Sequence, residues 1–442
     1  MSHYEYVGPS VFGYETDQPV TRAAMISLHT SPIEPIGHRD AGGMNVYIRS
    51  LALQLARQGL QIDIFTRRVD PDTPEIVNVA PSVNVIHITA GPTEHIHKNE
   101  LFPLVPQFAE QMALFALRTQ RRYDVLHAHY WLSGWAAHLL QRYWHIPHLL
   151  MFHTTAHQKN RVANEPDRET DLRLATERSL IELADGIVAA SPDERQDLLS
   201  LMRSPVDKIC AVPPGVDLSF FHAGDPAIAR VTLGLDPDAR YVLAVGRIDP
   251  IKGFDTLLDA IATVPSAHLL LVGGDLAEDG TPVGALAGLA AQAATQGIND
   301  RVTFLGSQPH DWLATAYQAA DVVVVPSRYE SFGLVAIEAM ASGTPVVASN
   351  VGGLRYTVET GHSGYLIPHS DPVVLADALN RLLTDDALRA RLSEGAIRSA
   401  QRFSWESVGT QIAHLYDRLI AGTHEELCAG ANVGPAKLTM LA

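Results

Sequence analysis

Two short segments carry side chains suited to holding a diphosphate and a sugar. In Val245-Gly246-Arg247-Ile248-Asp249-Pro250-Ile251-Lys252-Gly253, two cations precede an expected helix over 254–262. Glycine lets the backbone approach a ligand, and a helix N-terminus adds partial positive charge, so Arg247 and Lys252 can form a diphosphate clamp. A plain strand-to-helix turn with exposed basic residues is the alternative. The second segment, Arg328-Tyr329-Glu330-Ser331-Phe332-Gly333-Leu334, leads into a helical run that carries Glu338. Eight positions separate the two glutamates, about 80° around a helix of 3.6 residues per turn, so the spacing predicts both carboxylates on one side. Carboxylates accept hydrogen bonds from the vicinal hydroxyls that sugars and ribose present. A helix-start acid and a solvated helix residue would be the bland reading. However, Glu338 sits among Val335, Ala336, Ile337, Ala339, Met340 and Ala341, and a carboxylate in so apolar a helix needs a partner.

A third constellation lies near the start of the chain. His29-Thr30-Ser31-Pro32 ends the first apolar run, and Asp40-Ala41-Gly42-Gly43-Met44-Asn45-Val46 opens the next helix. Paired glycines there let backbone amides reach a phosphate or sugar, which makes His29, Asp40, Gly43, Met44 and Asn45 candidate ligand contacts. His127, His129 and His153 end later strands. Strand alternation puts His127 and His129 on one face with no third ligand at short spacing, so we expect no metal site there, and His127 reads as a satisfied buried histidine. Asp70-Pro71-Asp72 and Asp236-Pro237-Asp238 imitate an acidic metal motif, but their prolines mark turns.

The elements that must position these groups alternate from Arg22 onward between short apolar runs and amphipathic helices, the pattern of βα units on parallel sheets. One series holds strands near 23–28, 61–66, 83–88, 125–127, 148–152 and 186–189. A second, with strands near 241–245, 268–272, 302–305, 322–325 and 345–348, follows the rigid Val212-Pro213-Pro214-Gly215 break. The expected fold class is α/β, two Rossmann-like doubly wound domains facing each other across a cleft. Its expected parts are an extension over 1–21, an N-terminal domain over 22–213, a C-terminal domain over 214–402, a helix over 403–421 crossing back, and a tail over 422–442.

The 442 residues carry a formal charge of -16, which disfavours nucleic acid and anionic lipid, so a phosphate-bearing ligand would need locally placed cations. No apolar run reaches the roughly 18 residues of a membrane span, and the first twenty residues lack a secretory pattern, so a cytoplasmic protein is expected. Cys210 and Cys428, far apart in sequence, suggest neither a disulfide nor a zinc site.

Taken together, Glu330-x7-Glu338, Gly246-Arg247 with Lys252, and Gly343-Thr344-Pro345-Val346-Val347 with Gly352-Gly353 resemble glycosyltransferase family 4, whose fold is the two-domain GT-B arrangement. The resemblance covers nearly all of 22–420. It implies a retaining transferase in which Glu330 contacts the transferred sugar, Glu338 the ribose, and Arg247 and Lys252 the diphosphate. His153 matches a position at the donor sugar or reacting centre. Base recognition by backbone is expected near Val302. The nucleotide-sugar, expected to be UDP-linked, is then a co-substrate; no further cofactor and no catalytic metal are expected.

The block from Asp40 to Tyr47 further resembles the mycothiol-pathway branch of that family, which moves N-acetylglucosamine onto inositol 3-phosphate. That resemblance implies a phosphorylated acceptor held by Lys98, Tyr130, Thr154 and Arg173, with Arg168 and Arg178 as neighbouring alternatives to the last. Lys252-Gly253 is shared with sucrose-phosphate-synthase-like members and selects no branch. A sugar-nucleotide sensor is the non-enzymatic alternative, and a homodimer is left open. A dinucleotide oxidoreductase would need a G-x-G-x-x-G after the first strand, and none stands there.

Overall fold

β-Branched and aliphatic runs bounded by turn residues form strands buried on both faces, because helices cover each side of a parallel sheet. The computed structural model describes residues 21–34, 42–161, 168–201, 208–423 and 427–428. The first sheet contains β1 (Arg22–Ile26), β2 (Gln61–Arg67), β3 (Ile76–Ala80), β4 (Val83–Ile88), β5 (Val125–His129), β6 (His148–Met151), β7 (Gly186–Ala189) and β8 (Ile209–Ala211). Its order is β3-β4-β2-β1-β5-β6-β7-β8, parallel except where β3 pairs antiparallel with β4. The second half supplies β9 (Arg240–Val245), β10 (Ala267–Val272), the small hairpin β11 (Asp275–Leu276) and β12 (Pro282–Val283), β13 (Val302–Phe304), β14 (Val322–Val325), β15 (Val346–Ser349) and β16 (Gly364–Ile367). Its main sheet is ordered β13-β10-β9-β14-β15-β16, with every pair parallel.

Strands β3, β8 and β16 and the two-residue hairpin strands β11 and β12 are additions to the sequence reading. β8 is only three residues long, β16 follows a glycine-rich turn, and β3 is a half-exposed edge, so none shows a long apolar run.

Each sheet changes winding direction at one place, beside β1 in the first and β9 in the second. Crevices form where connections leave in opposite directions. The segments after β1, β5, β9 and β14 therefore converge, and these are the segments that carry His29, Tyr130, Lys252 and Glu330.

The chain crosses between the two halves twice, side by side. Val216 donates its amide to the Phe403 carbonyl at 2.7 Å. The helix Trp405–Ile420 then packs on the helix Gly43–Arg57, and its Tyr416 is fully buried beneath β5. One apolar core runs through both halves and includes Tyr47, Trp405 and Tyr416, while two others fill the outer faces of the sheets.

One expectation is overturned here. Cys210 of β8 is disulfide-bonded to Cys428, with Cα atoms 5.1 Å apart and a sequence separation of 218. The returning helix brings the following turn against the edge of the first sheet, a proximity that spacing cannot reveal. The acidic motifs are turns, as their prolines suggest: Asp70 and Asp236 each accept the amide two residues on at 2.9 Å, so both Asp-Pro-Asp segments are side-chain-capped.

Candidate active site

Two strand ends on the first sheet depart from ordinary backbone geometry. Tyr130, after β5, has φ 77°, and His153, after β6, has φ 61°. Positive φ in a bulky residue costs on the order of 1–3 kcal/mol and survives only where surroundings enforce it. Around Tyr130 those surroundings are the His29 ring, with centroids 4.5 Å apart, and the Arg173 guanidinium, 4.7 Å from the ring centre. Burial pushes the Tyr130 hydroxyl up to about 12, so it stays a neutral donor. Arg173, only 1% exposed, reaches the Thr154 carbonyl with Nη2 at 2.6 Å and Glu177 Oε1 with Nε at 2.7 Å. Its Nη1 lies 2.8 Å from Glu169 Oε1. His29, Tyr130, Thr154 and Arg173 thus form one cluster. Lys98 sits in a single turn just before Phe102, whose ring stacks on Trp131, the neighbour of Tyr130.

Asn45 is the organiser of the glycine-rich segment. Its amide donates to Thr30 Oγ1 at 2.9 Å and to the Ser31 carbonyl at 2.6 Å, while its Oδ1 accepts the Gly42 amide at 3.1 Å. Met44 is half-buried against two cores. Asp40 lies outside the described residues. A cavity of about 750 Å³ opens beside His29, Thr30 and Ser31 toward Arg67 and His95.

The histidines form a buried chain. His129 Nδ1 is 3.0 Å from His153 Nε2, and His127 Nδ1 is 2.8 Å from the Tyr416 hydroxyl. Burial lowers His127 and His153 to about 3, with neighbouring imidazoles adding to the effect, and holds His129 well below its ordinary range. His153 is accordingly a neutral hydrogen-bonding group at neutral pH.

On the second sheet, Asp249 caps the turn by accepting the Ile251 amide at 3.0 Å. Gly253 follows at φ 68°, where a Cβ would lie 2.2 Å from the Pro326 carbonyl oxygen; only glycine lets the two loops meet so closely. Arg328 fastens the same loops, donating its amide to the Ile251 carbonyl at 2.7 Å and its guanidinium to Asp255 at 2.6 Å. The result is an ion pair between Lys252 Nζ and Glu330 Oε2 at 2.6 Å. Arg247 is exposed at the end of β9.

Glu338 is buried at 8% exposure and has the partner its surroundings require: the Tyr317 hydroxyl donates to Oε2 at 2.8 Å. His310 Nε2 stands 3.8 Å from the other oxygen, and that carboxylate raises the His310 pKa against the opposing pull of burial.

Two positional expectations need correction. Glu330 and Glu338 do not share a helix, because Gly333 at φ 94° delays the helix to Leu334–Ala341. Their relation is set by a loop, not by an angle around a helix axis. Val302 is the first residue of β13 and packs into the apolar core, whereas the crevice lies at the other end of the strand, toward Leu305 and Gly306.

The two halves touch at the site. Ser331 Oγ donates to the His153 carbonyl at 2.9 Å, and a Cβ on Gly43 would stand 3.1 Å from Leu334 Cδ1. Nearby, Asp193 accepts from Tyr356 at 2.8 Å and pairs with Arg355 at 3.2 Å. Sequence reasoning missed Ser331, Tyr317, His310, Glu169 and Glu177. Only the last two left a signal, as acids four positions on either side of Arg173.

Comparison with known proteins accords with this geometry. The family model for glycosyltransferase family 4 matches residues 41–220, and that for glycosyl transferases group 1 matches 227–399. The chain is 41% identical over 405 residues to the D-inositol 3-phosphate glycosyltransferase of Corynebacterium efficiens, covering 89% of this chain and 95% of that one. It is equally 41% identical over 427 residues to the enzyme of the same name from Thermobispora bispora, covering 93% and 98%. Among solved structures, sucrose-phosphate synthase from Thermosynechococcus elongatus superposes with a TM-score of 0.83 at 38% identity, over 91% of this chain and 100% of that one. The chain is a glycosyltransferase of the GT-B fold and belongs to glycosyltransferase family 4.

Proposed function

We propose that the enzyme transfers a sugar with retention from a UDP-linked donor, such as UDP-N-acetylglucosamine or UDP-glucose, to a phosphorylated acceptor such as inositol 3-phosphate. The observation that carries the reading is the junction of the two halves. Lys252 and Glu330 stand beside His153 through the Ser331 bridge, and the Tyr130, Thr154 and Arg173 cluster lies on the facing strand ends. Relatives named for D-inositol 3-phosphate support the acceptor class.

In this mechanism the donor diphosphate lies against Arg247, Lys252 and the helix that starts at Phe254. Its bond to the anomeric carbon breaks as the acceptor oxygen attacks that carbon from the same face. The acceptor's proton passes to the departing phosphate oxygen, so the bond made and the bond broken balance without an enzyme nucleophile. Glu330 and the neutral His153 hold the sugar, while Glu338 receives the ribose hydroxyls. Catalysis rests on orientation and charge stabilisation. Lys252 and Arg247 take the developing charge, with no metal or further cofactor, and the cytoplasm is the setting we assign.

The similarity to sucrose-phosphate synthase favours a second reading, a hexosyltransferase to a different phosphorylated sugar. A grid of UDP-, GDP- and ADP-sugars against inositol 3-phosphate, fructose 6-phosphate and unphosphorylated sugars separates the two. Turnover confined to unphosphorylated acceptors overturns both.

A further inference from the structure

The Arg173 cluster holds an anion of its own. Glu169 Oε1 lies 2.7 Å from Lys159 Nζ and 2.8 Å from Arg173 Nη1, so one carboxylate oxygen is shared by two cations, as a phosphate oxygen would be. The side chain is held in place: its backbone amide donates to Asn160 Oδ1 at 2.8 Å, and it is only 7% exposed. Arg173 is otherwise committed, through Nε to Glu177 and through Nη2 to the Thr154 carbonyl. Glu177 is itself fixed by the Ala156 amide at 2.8 Å, so it is built into the scaffold. The Nη1 edge differs. It is buried and close to Glu169, yet no acceptor among the described residues meets it with hydrogen-bond geometry. A buried guanidinium edge with charge contact but poorly directed hydrogen bonds is one that a better-shaped anion can claim.

Building on the phosphorylated-acceptor reading above, we propose that Glu169 occupies, in the acceptor-free enzyme, the place of an acceptor phosphate oxygen, and that Lys159 is a further phosphate ligand once Glu169 is displaced. The exchange keeps both cations paired: Lys159 and Arg173 lose a singly charged carboxylate and gain a more highly charged phosphate, so the buried Arg173 is not left without an anion. Glu169 then acts as an internal competitor. It keeps the pocket assembled without acceptor and lowers affinity for anions too small or too weak to displace it.

The test is calorimetric titration of inorganic phosphate into the full chain in phosphate-free buffer, alongside acceptor and donor kinetics. Glu169→Gln, which keeps the shape and removes the charge, is expected to tighten phosphate about tenfold and to lower the acceptor KM, with kcat and donor KM unchanged. Lys159→Met is expected to weaken phosphate by about tenfold, and the double variant to lose most of the gain from Glu169→Gln. Asp171→Asn, an exposed acid two positions on, controls for general charge and should change nothing. Melting temperatures verify folding, and Glu169→Ala provides a second variant should the glutamine form fold poorly. If wild type binds phosphate but removing the Glu169 charge leaves affinity unchanged or weaker, or if Asp171→Asn tightens it equally, Glu169 is only a brace and the proposal fails while the acceptor reading stands. If neither wild type nor any variant binds phosphate and only unphosphorylated acceptors turn over, the acceptor reading itself fails.

Discussion

Lys252 Nζ lies 2.6 Å from Glu330 Oε2, joining the loop after β9 to the loop after β14. The proposed diphosphate cation and the proposed sugar carboxylate thus hold each other before any donor arrives. Donor binding must insert phosphate and sugar hydroxyls between them. Lys252→Ala should therefore lower kcat by about 10²- to 10³-fold, the scale of removing one transition-state charge contact. Thermal melting of the variant should stay within a few degrees of wild type, since both partners are partly open to solvent. Near-normal turnover would remove Lys252 from the clamp.

Ser331, in the Glu330 loop, bonds across to the other half at the His153 carbonyl. Ser331→Ala removes that bond without altering charge. The expected outcome is a rise of a few-fold in both donor and acceptor KM, in line with a net hydrogen-bond contribution of about 1 kcal/mol. Steady-state kinetics in both substrates would check it; an effect on one substrate alone would argue against a role in closure.

Glu338 has His310 on one side and Tyr317 on the other. Arg49 opposes protonation of His310, while Glu338 and Asp217 favour it. As pH rises through the elevated His310 pKa, the imidazolium charge next to Glu338 disappears and the carboxylate is released for ribose. Donor KM should thus fall as pH rises through the elevated His310 pKa, and His310→Gln should flatten the profile. An unchanged profile in the variant would assign the titration elsewhere.

Stability should decline on mild acidification. His127, His148 and His153 are buried and lowered to about 3, and His129 is also strongly lowered. Below about pH 6.5 the unfolded chain binds protons that these four folded side chains refuse. Unfolding free energy should fall as pH drops below about 6.5, each of these groups contributing until its own lowered pKa is reached. Glu194 works in the opposite sense. Burial raises its carboxyl to about 7, so its contribution is complete below its unfolded value and is lost as pH rises toward 7. The buried histidines outweigh Glu194, and urea denaturation at pH 5 and pH 7 should show lower stability at pH 5.

The Cys210–Cys428 bond closes a loop of 218 positions. Reduction, or Cys428→Ser, should lower stability by about 2–4 kcal/mol. Thiol counting under denaturing conditions before and after reduction checks the linkage, with zero free thiols expected before and two after.

Much of the site could be read from residue types because chemistry constrains short segments. Glycines beside Arg247 and Lys252, and a carboxylate stranded among Val335, Ile337 and Met340, announce their needs locally. What spacing could not provide was the path of the chain between those segments. The Glu330-to-Glu338 interval suggested one helix face, yet Gly333 delays the helix and a loop places Glu330 against Lys252. Val302 starts its strand at the end away from the crevice, because a strand's direction decides which terminus meets the ligand.

By itself the sequence determined two doubly wound sheets, the break between them, and the polar groups that gather at strand ends. Alternating apolar periodicity and turn chemistry are local properties, written within a few residues. The tertiary structure alone decided which side chains face each other. It set Ser331 on His153, Tyr416 on His127, Glu169 between Lys159 and Arg173, and Cys210 on Cys428. These contacts arise when the returning helix and the two crevices are folded onto one another, and pairing over such separations depends on packing that no short window of sequence contains.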